Sequence, residues 1–195
     1  MRIVSYVERA TAASSNALER WFFVPDYNCA RVAADNLYIE SWSLRLDISI
    51  LARTPPQDVV RDIPGFDDPQ RRVIAATVGG VRVIDVYVVN GQAVGSDKYE
   101  YKLRWLAALR DYLAAELQQH PLLAVVGDYN IAPTDADVYD PIAWGNDVLC
   151  SPPEREALAA LLGLGLTDCF AARPPEGNRF TWWDYRQAGF RRNLG

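Results

Sequence analysis

The stretch that decides the fold is RRVIAATVGGVRVIDVYVV, residues 71–89. It contains two runs rich in β-branched residues, joined by the adjacent glycines Gly79 and Gly80. A glycine pair between such runs is typical of a β-hairpin, because both central positions of the favoured turn need a positive φ. Both runs are nearly continuous in apolar residues, which predicts that both faces of these strands are covered.

A helix and a further strand are predicted directly after this hairpin. Asp97 followed by Glu100 has the spacing of a capping box, which opens a helix. Pro121 prevents the helix from continuing, and LLAVVGD, residues 122–128, is predicted as a buried strand. Leucines at spacings of three and four residues predict one buried stripe along the helix, at Leu106, Leu109, Leu113 and Leu117.

The remaining segments predict a single α/β domain over residues 1–195. Ser151 and Glu154 form a second capping-box pattern, and glycines after residue 162 end that helix. RIVSYV near the N-terminus and FTWWDY near the C-terminus are predicted as strands, whereas most of the first 50 residues lack a sustained period. Strands and helices alternate without strict βαβ regularity, which favours sheets layered with helices.

The composition limits the functional classes. A chain of 195 residues that is 50% apolar and 23% charged is typical of a globular domain and excludes a disordered or fibrous protein. The three widely spaced cysteines, Cys29, Cys150 and Cys169, fit reduced thiols in a cytoplasmic protein and have no spacing typical of zinc sites. The net charge of −5 argues against a protein that coats DNA generally, but a nuclease needs only a local basic face.

Asp128 and Asn130, in VVGDYNIAP, follow the buried strand at its end. One interpretation is a loop cap, because Asp and Asn commonly form turns. The other is a phosphoester site, since strand ends lie at the rim where α/β proteins bind ligands. There the carboxylate could bind Mg²⁺ or take a proton from the attacking water, and the amide could hydrogen-bond a phosphate oxygen.

Several stretches, in their order along the chain, carry a resemblance to a known family. They are RTPPQDVV, IPGFDDPQRRVI, VYVVNGQ, SDKYEYKLRWL, GDYNIAPTDADV, LCSPPEREAL, GLTDCF and FTWWDYRQAGFRRN. Together they resemble the exonuclease III branch of the endonuclease/exonuclease/phosphatase family, the Mg²⁺-dependent AP endonucleases and 3′ exonucleases of DNA repair. The resemblance covers residues 50–195 and leaves residues 1–49 divergent. It implies a four-layer α/β sandwich of two mixed β-sheets flanked by helices.

The resemblance also implies roles for individual residues. Asp128 would activate water or handle protons, and Asn130 would bind phosphate, both beside Mg²⁺ that Mn²⁺ could replace. Tyr87 would donate to a phosphate oxygen or help the leaving group, although the residue pattern alone equally allows core packing. The implied partner is double-stranded DNA with abasic sites or 3′ ends.

Further positions are assigned to DNA contacts. Asn90 would shape the DNA-facing rim, and Trp182 would line a pocket for a flipped-out abasic sugar, with its neighbour Trp183 in the core. Lys98 and Lys102 are interpreted as ordinary helix-surface lysines. Phosphate contacts that position the duplex without reading its sequence are predicted at Arg71, Arg72, Arg186 and Arg191.

The chain departs from the family pattern at both ends. The first strand lacks the family's asparagine, and the nearest counterpart of its metal-binding glutamate is Glu40 in DNLYIES. Glu40 is predicted as a displaced metal ligand, with a surface or turn position as the alternative. The terminal Asp-His pair of the family has no counterpart, since the single histidine, His120, precedes a proline at a helix end. These departures predict a C-terminally truncated sandwich.

Three hypotheses about function follow. The first is a Mg²⁺-dependent DNA phosphodiesterase of base-excision repair, of exodeoxyribonuclease III or AP endonuclease type. The second is a catalytically impaired, truncated remnant that retains DNA contacts or only part of the fold. The third is a hydrolase of small phosphate esters. A working nuclease needs a carboxylate from the first 50 residues close to Asp128 and Asn130.

Overall fold

The computed structural model describes residues 2–8, 55–172, 180–181 and 189–192. In chain order the elements are β1 (Arg2–Glu8), β2 (Gln57–Arg61), β3 (Val73–Val78), β4 (Val81–Tyr87), α1 (Asp97–Gln119), β5 (Leu122–Asp128), a short 3-10 helix (Asp135–Asp137), α2 (Pro141–Trp144), α3 (Pro152–Leu162), α4 (Cys169–Ala172) and α5 (Gly189–Arg192). Most of the predicted aromatic strand FTWWDY lies outside the described residues, whereas the predicted first strand is confirmed as β1.

The described strands form one mixed sheet in the order β1-β5-β4-β3-β2. Strands β4 and β5 are parallel and α1 connects them, while the other neighbouring pairs are antiparallel. This arrangement confirms the predicted α/β class with a mixed sheet. A second sheet, which a four-layer sandwich requires, stays a prediction.

The hairpin predicted at residues 71–89 is present. Gly79 and Gly80 have φ angles of 58° and 83°, and β3 pairs with β4 up to Val78 and Val81 on either side of them. Strand β3 is buried on both faces, as predicted. Strand β4 alternates instead: Arg82, Ile84 and Val86 are buried, whereas Val81, Val83 and Asp85 are only partly buried.

Helix α1 covers one face of the sheet. Its N-cap is Ser96, whose side chain accepts a hydrogen bond from the Tyr99 N–H, so the prediction of Asp97 as the cap was wrong by one residue. Ser96 rather than Asp97 caps the helix because the serine hydroxyl reaches an otherwise unpaired N–H of the first turn. The helix ends at Gln119 with His120 as C-cap, as predicted. Leu106, Leu109 and Leu113 are buried and Leu117 is partly buried.

Helix α3 packs against α1 and completes the described core. Its predicted capping box is confirmed, because Glu154 accepts a hydrogen bond from the Ser151 N–H at 3.2 Å. Each buried leucine of this α1–α3 contact stabilises the fold by about 2 kcal/mol. Within the described residues, no helix has both the length and the apolar character needed to cross a membrane.

Of the strands that the structure describes, β2 is the last in the sheet order, and it is mostly exposed. Its pairing with β3 shifts register between Gln57 and Val60. Asp58, within the shift, has a φ of 49°, and its carbonyl accepts a hydrogen bond from Arg82 Nη1 at 2.7 Å. Strand β2 is therefore irregular at this point.

Candidate active site at the ends of β4 and β5

The ends of the two parallel strands bring Tyr87 and Asp128 together. The two residues are direct partners in the register of β4 and β5. Neighbouring strands lie about 4.8 Å apart, and partners in a parallel pair point to the same face. Tyr87 is 49% exposed, so it is not a core residue, and Asp128 is exposed as well. A phenol and a carboxylate therefore share the rim of the sheet.

The turn after β5 is fixed by hydrogen bonds from several directions. Asp128 Oδ1 accepts from the Asn130 N–H at 2.9 Å, and Asn130 adopts a φ of 46°. Asn130 Nδ2 donates to the Val88 carbonyl at 2.9 Å, and Asn90 Nδ2 donates to Asn130 Oδ1 at 3.3 Å. The loop-cap interpretation is thus correct for one oxygen of Asp128, and the same turn orients the amide of Asn130 beside β4.

Tyr129 lies between these two polar residues and points into the core. It is buried, and burial, reinforced by the charges of Asp85 and Asp168, raises the pKa of its phenol. The residues of the Gly-Asp-Tyr-Asn block therefore have different environments. Asp128 is exposed at the rim, whereas Tyr129 anchors the turn to the hydrophobic core.

Arg72 lies against Tyr87, and Arg71 does not. The Arg72 guanidinium lies 5.1 Å from the centre of the Tyr87 ring and donates to the Tyr87 carbonyl at 3.2 Å. Arg71 is exposed and pairs with Asp62 at 3.3 Å. Arg191 is exposed on α5. Of the predicted phosphate contacts among the described residues, Arg72 adjoins the rim directly.

Three predicted site residues lie outside the described residues: Glu40, Trp182 and Arg186. Their roles stay predictions. The carboxylate of Asp128 and the amide oxygen of Asn130 are hard oxygen donors of the kind that Mg²⁺ prefers. Within residues 55–172 and the shorter described stretches, no three His, Cys, Asp or Glu side chains are grouped closely enough to hold a metal ion.

Lys102 is not the surface lysine that the sequence predicted, whereas Lys98 is exposed as expected. Lys102 is fully buried, and its ammonium donates to the Asn130 carbonyl at 2.6 Å, to the Asn90 carbonyl at 3.2 Å and to Glu154. A sequence signal was present, since position 102 continues the spacing of Leu106 and Leu109 along the buried stripe. The position of Lys102 in the helix predicts burial, whereas its charged head group is typical of a surface residue.

Comparison with known proteins gives consistent results. A sequence model of the Endonuclease/Exonuclease/phosphatase family matches residues 30–195. An exodeoxyribonuclease of Bacillus subtilis is 33% identical over 149 residues, which cover 75% of this chain and 58% of that protein. The resemblance predicted from the sequence blocks is therefore confirmed, and this chain spans less than two thirds of that curated relative.

Solved structures show the same likeness. A 3′-5′ exonuclease, NExo, from Neisseria meningitidis is 53% identical with a TM-score of 0.70, and the match covers 73% of this chain and 56% of that chain. An AP endonuclease from Archaeoglobus fulgidus is 32% identical with a TM-score of 0.66, over 72% of this chain and 55% of that one. The sequence match and the two structural matches each cover more than two thirds of this chain.

Proposed function

Because the chain belongs to the endonuclease/exonuclease/phosphatase family, we propose that it is a DNA phosphodiesterase of base-excision repair, of exodeoxyribonuclease III or AP endonuclease type. Its substrate is double-stranded DNA with abasic sites or 3′ ends, and its compartment is the cytoplasm. The observation that carries the proposal is the pairing of Tyr87 with Asp128 at the rim of the sheet, beside the fixed turn at Asn130.

In the proposed mechanism, a water oxygen attacks phosphorus and the P–O bond to the leaving oxygen breaks, while the chain's own residues orient the water and stabilise the negative charge that develops on the phosphate. The Asp128 carboxylate orients the attacking water and takes its proton, a role that requires hydrogen-bond reach and an ionised group. The Asn130 amide and the Tyr87 phenol donate to the phosphate oxygens as negative charge develops. The Asn130 amide is oriented by its hydrogen bonds to Val88 and Asn90, and the Tyr87 ring lies against Arg72. Donors oriented before the reaction stabilise a transition state best.

The proposed cofactor is Mg²⁺, with Mn²⁺ as a substitute. Asp128 and Asn130 would hold it, with Glu40 as the further ligand. When bound, the ion would neutralise charge on the leaving oxygen.

The test is cleavage of defined duplexes by the intact chain. One duplex carries a single abasic site, a second has a recessed 3′ end, and an undamaged hairpin with a blunt, blocked end is the control. We expect cleavage of the first two with Mg²⁺ or Mn²⁺ and none with EDTA. A folded chain that cleaves neither would support the impaired remnant instead, and hydrolysis confined to p-nitrophenyl phosphate would support the small-ester hypothesis.

Arg72 is expected to contact a phosphate of the duplex. Replacing it with methionine keeps the apolar stem against Tyr87 and removes the charge. Each phosphate contact contributes a slope of about 0.9 to the dependence of log affinity on log salt. We therefore expect the Arg72→Met variant to bind the abasic duplex more weakly at low salt, with a slope reduced by about 1.

The matched control is Arg110→Met, since Arg110 is an exposed arginine on α1 that pairs with Asp111. It should leave the salt slope of DNA binding unchanged. Equal slopes for the Arg72 variant and the unmodified chain would contradict a phosphate contact at Arg72.

A further inference from the structure

Lys102 and Glu154 form an ion pair in which both side chains are 0% exposed. Taking two charges out of water is costly, and a buried pair is often no more stabilising than apolar residues of the same volume. Fold stability alone therefore does not account for this pair. Its surroundings point to another role, because the ammonium also contacts both loops that bear the predicted site.

The ammonium has three N–H groups, and three acceptors surround it. Two are the main-chain carbonyls of Asn90 and Asn130, at 3.2 Å and 2.6 Å, and the third is Glu154 Oε1. Asn90 lies beyond the end of β4 and Asn130 lies beyond the end of β5. One cation thus joins the loops that follow the two parallel strands.

Glu154 is itself held firmly at the start of α3. Its oxygens accept from the Leu149 N–H and the Ser151 N–H, both at 3.2 Å, and from the Ser151 hydroxyl. Ser151 Oγ also shares a hydrogen bond of 2.6 Å with the Tyr99 hydroxyl of α1. The carboxylate is therefore fixed by α1 and α3, the two helices of the described core.

We infer that the buried Lys102–Glu154 pair is a positioning device, which transmits the rigidity of α1 and α3 to the Asn90 and Asn130 loops. Both side chains of the pair are fully buried, so its role is indirect. It acts through Asn130. Lys102 donates to the main-chain carbonyl of Asn130. The side-chain amide of Asn130 in turn donates to the Val88 carbonyl and accepts from Asn90 Nδ2. The kinetic part of the inference rests on the proposed function, and the structural part does not.

Burial lowers the pKa of the Lys102 ammonium, and the hydrogen bond and charge of Glu154, with the charge of Asp128, only partly oppose that shift. The inference rests on the contacts of Lys102 Nζ with the two main-chain carbonyls and with Glu154.

The test is a double variant, Lys102→Met with Glu154→Gln, which removes both charges and leaves no uncompensated ion in the core. We expect the variant to stay folded with a lowered urea midpoint, because the Asn90 and Asn130 carbonyls lose a donor. For the abasic duplex, kcat should fall by about 10- to 100-fold while KM changes little, because the amide is misplaced and DNA contacts are retained. Lys98→Met, on the exposed face of the same helix, is the control and should match the unmodified chain.

A second readout does not depend on activity. Amide hydrogen exchange at Asn130 and Val88 should be faster in the double variant by about tenfold or more, while Ile84 in the sheet should be unchanged, since local opening is independent of global unfolding. If kcat and these exchange rates both equal those of the unmodified chain, the inference is overturned. If the unmodified chain cleaves no duplex, the proposed function fails and the exchange rates alone decide the positioning role.

A third measurement needs only the unmodified chain, so it tests the inference even if the double variant does not fold. Scalar couplings across hydrogen bonds should connect Lys102 Nζ to the carbonyl carbons of Asn90 and Asn130. A freely exchanging ammonium without such couplings would overturn the inference.

Discussion

Replacing Asp128 with asparagine is expected to lower kcat for the abasic duplex by about 10²- to 10⁴-fold, the range attributed to a positioned general base. The amide cannot take a proton from water. Its oxygen can still accept from the Asn130 N–H, as Asp128 Oδ1 does at 2.9 Å, so the turn should survive. Gel-based single-turnover cleavage would measure the rate, and thermal unfolding would measure the fold.

The control for this substitution is Asp111→Asn, an exposed aspartate on α1. It removes the same charge away from the rim and should leave kcat unchanged. A rate for Asp128→Asn within about threefold of the unmodified chain would mean that Asp128 is only a turn cap, since a general base contributes far more than that.

Replacing Gly127 with alanine is expected to destabilise the fold by about 3 kcal/mol or more, the largest stability effect we expect from a single methyl group in this chain. Gly127 has a φ of 127°, and an added Cβ would lie 1.9 Å from the Val86 carbonyl oxygen and 2.7 Å from Asp85 Oδ1. The strands must therefore separate where Tyr87 meets Asp128. Urea unfolding would give the free energy, and the abasic-duplex rate should fall as well.

Gly80→Ala is the control that separates the cost of the steric contact at Gly127 from the cost of a positive φ angle. Gly80 also has a positive φ, of 83°, but nothing lies within 4 Å of an added Cβ. Its substitution should cost about 1–2 kcal/mol, the ordinary penalty of a left-handed conformation. If Gly127→Ala and Gly80→Ala lower the free energy of unfolding equally, β4 and β5 relax around the new methyl group at position 127.

The elements that sequence reasoning predicted well are those fixed by local chemistry. The Gly79-Gly80 turn needs positive φ angles, the Ser151–Glu154 box satisfies its own helix end, and Pro121 follows the end of α1. Each depends on residues within a few positions of one another. A single sequence contains all of the information that such features require.

The features that sequence reasoning missed depend on contacts between distant segments. Lys102 has the head group of a surface residue, and its burial depends on acceptors in distant segments, among them Asn130 and Glu154, 28 and 52 positions away. Tyr87 was open to a core interpretation because exposure on a strand depends on what covers each face. The α1 cap is a local exception, since the adjacent residues Ser96 and Asp97 both offer a side-chain acceptor and Ser96 is the one that caps the helix.

The irregular edge of the sheet bears on how separate copies of the protein behave at high concentration. A regular edge strand presents a row of unpaired N–H and C=O groups on which another chain can add a strand and start a fibre. At β2 the register shift and the left-handed Asp58 break that row, and Arg82 already occupies the Asp58 carbonyl. Among the described strands, the one at the β2 end of the sheet therefore offers a neighbouring copy an interrupted row of main-chain groups rather than a regular one, which opposes strand-by-strand addition there.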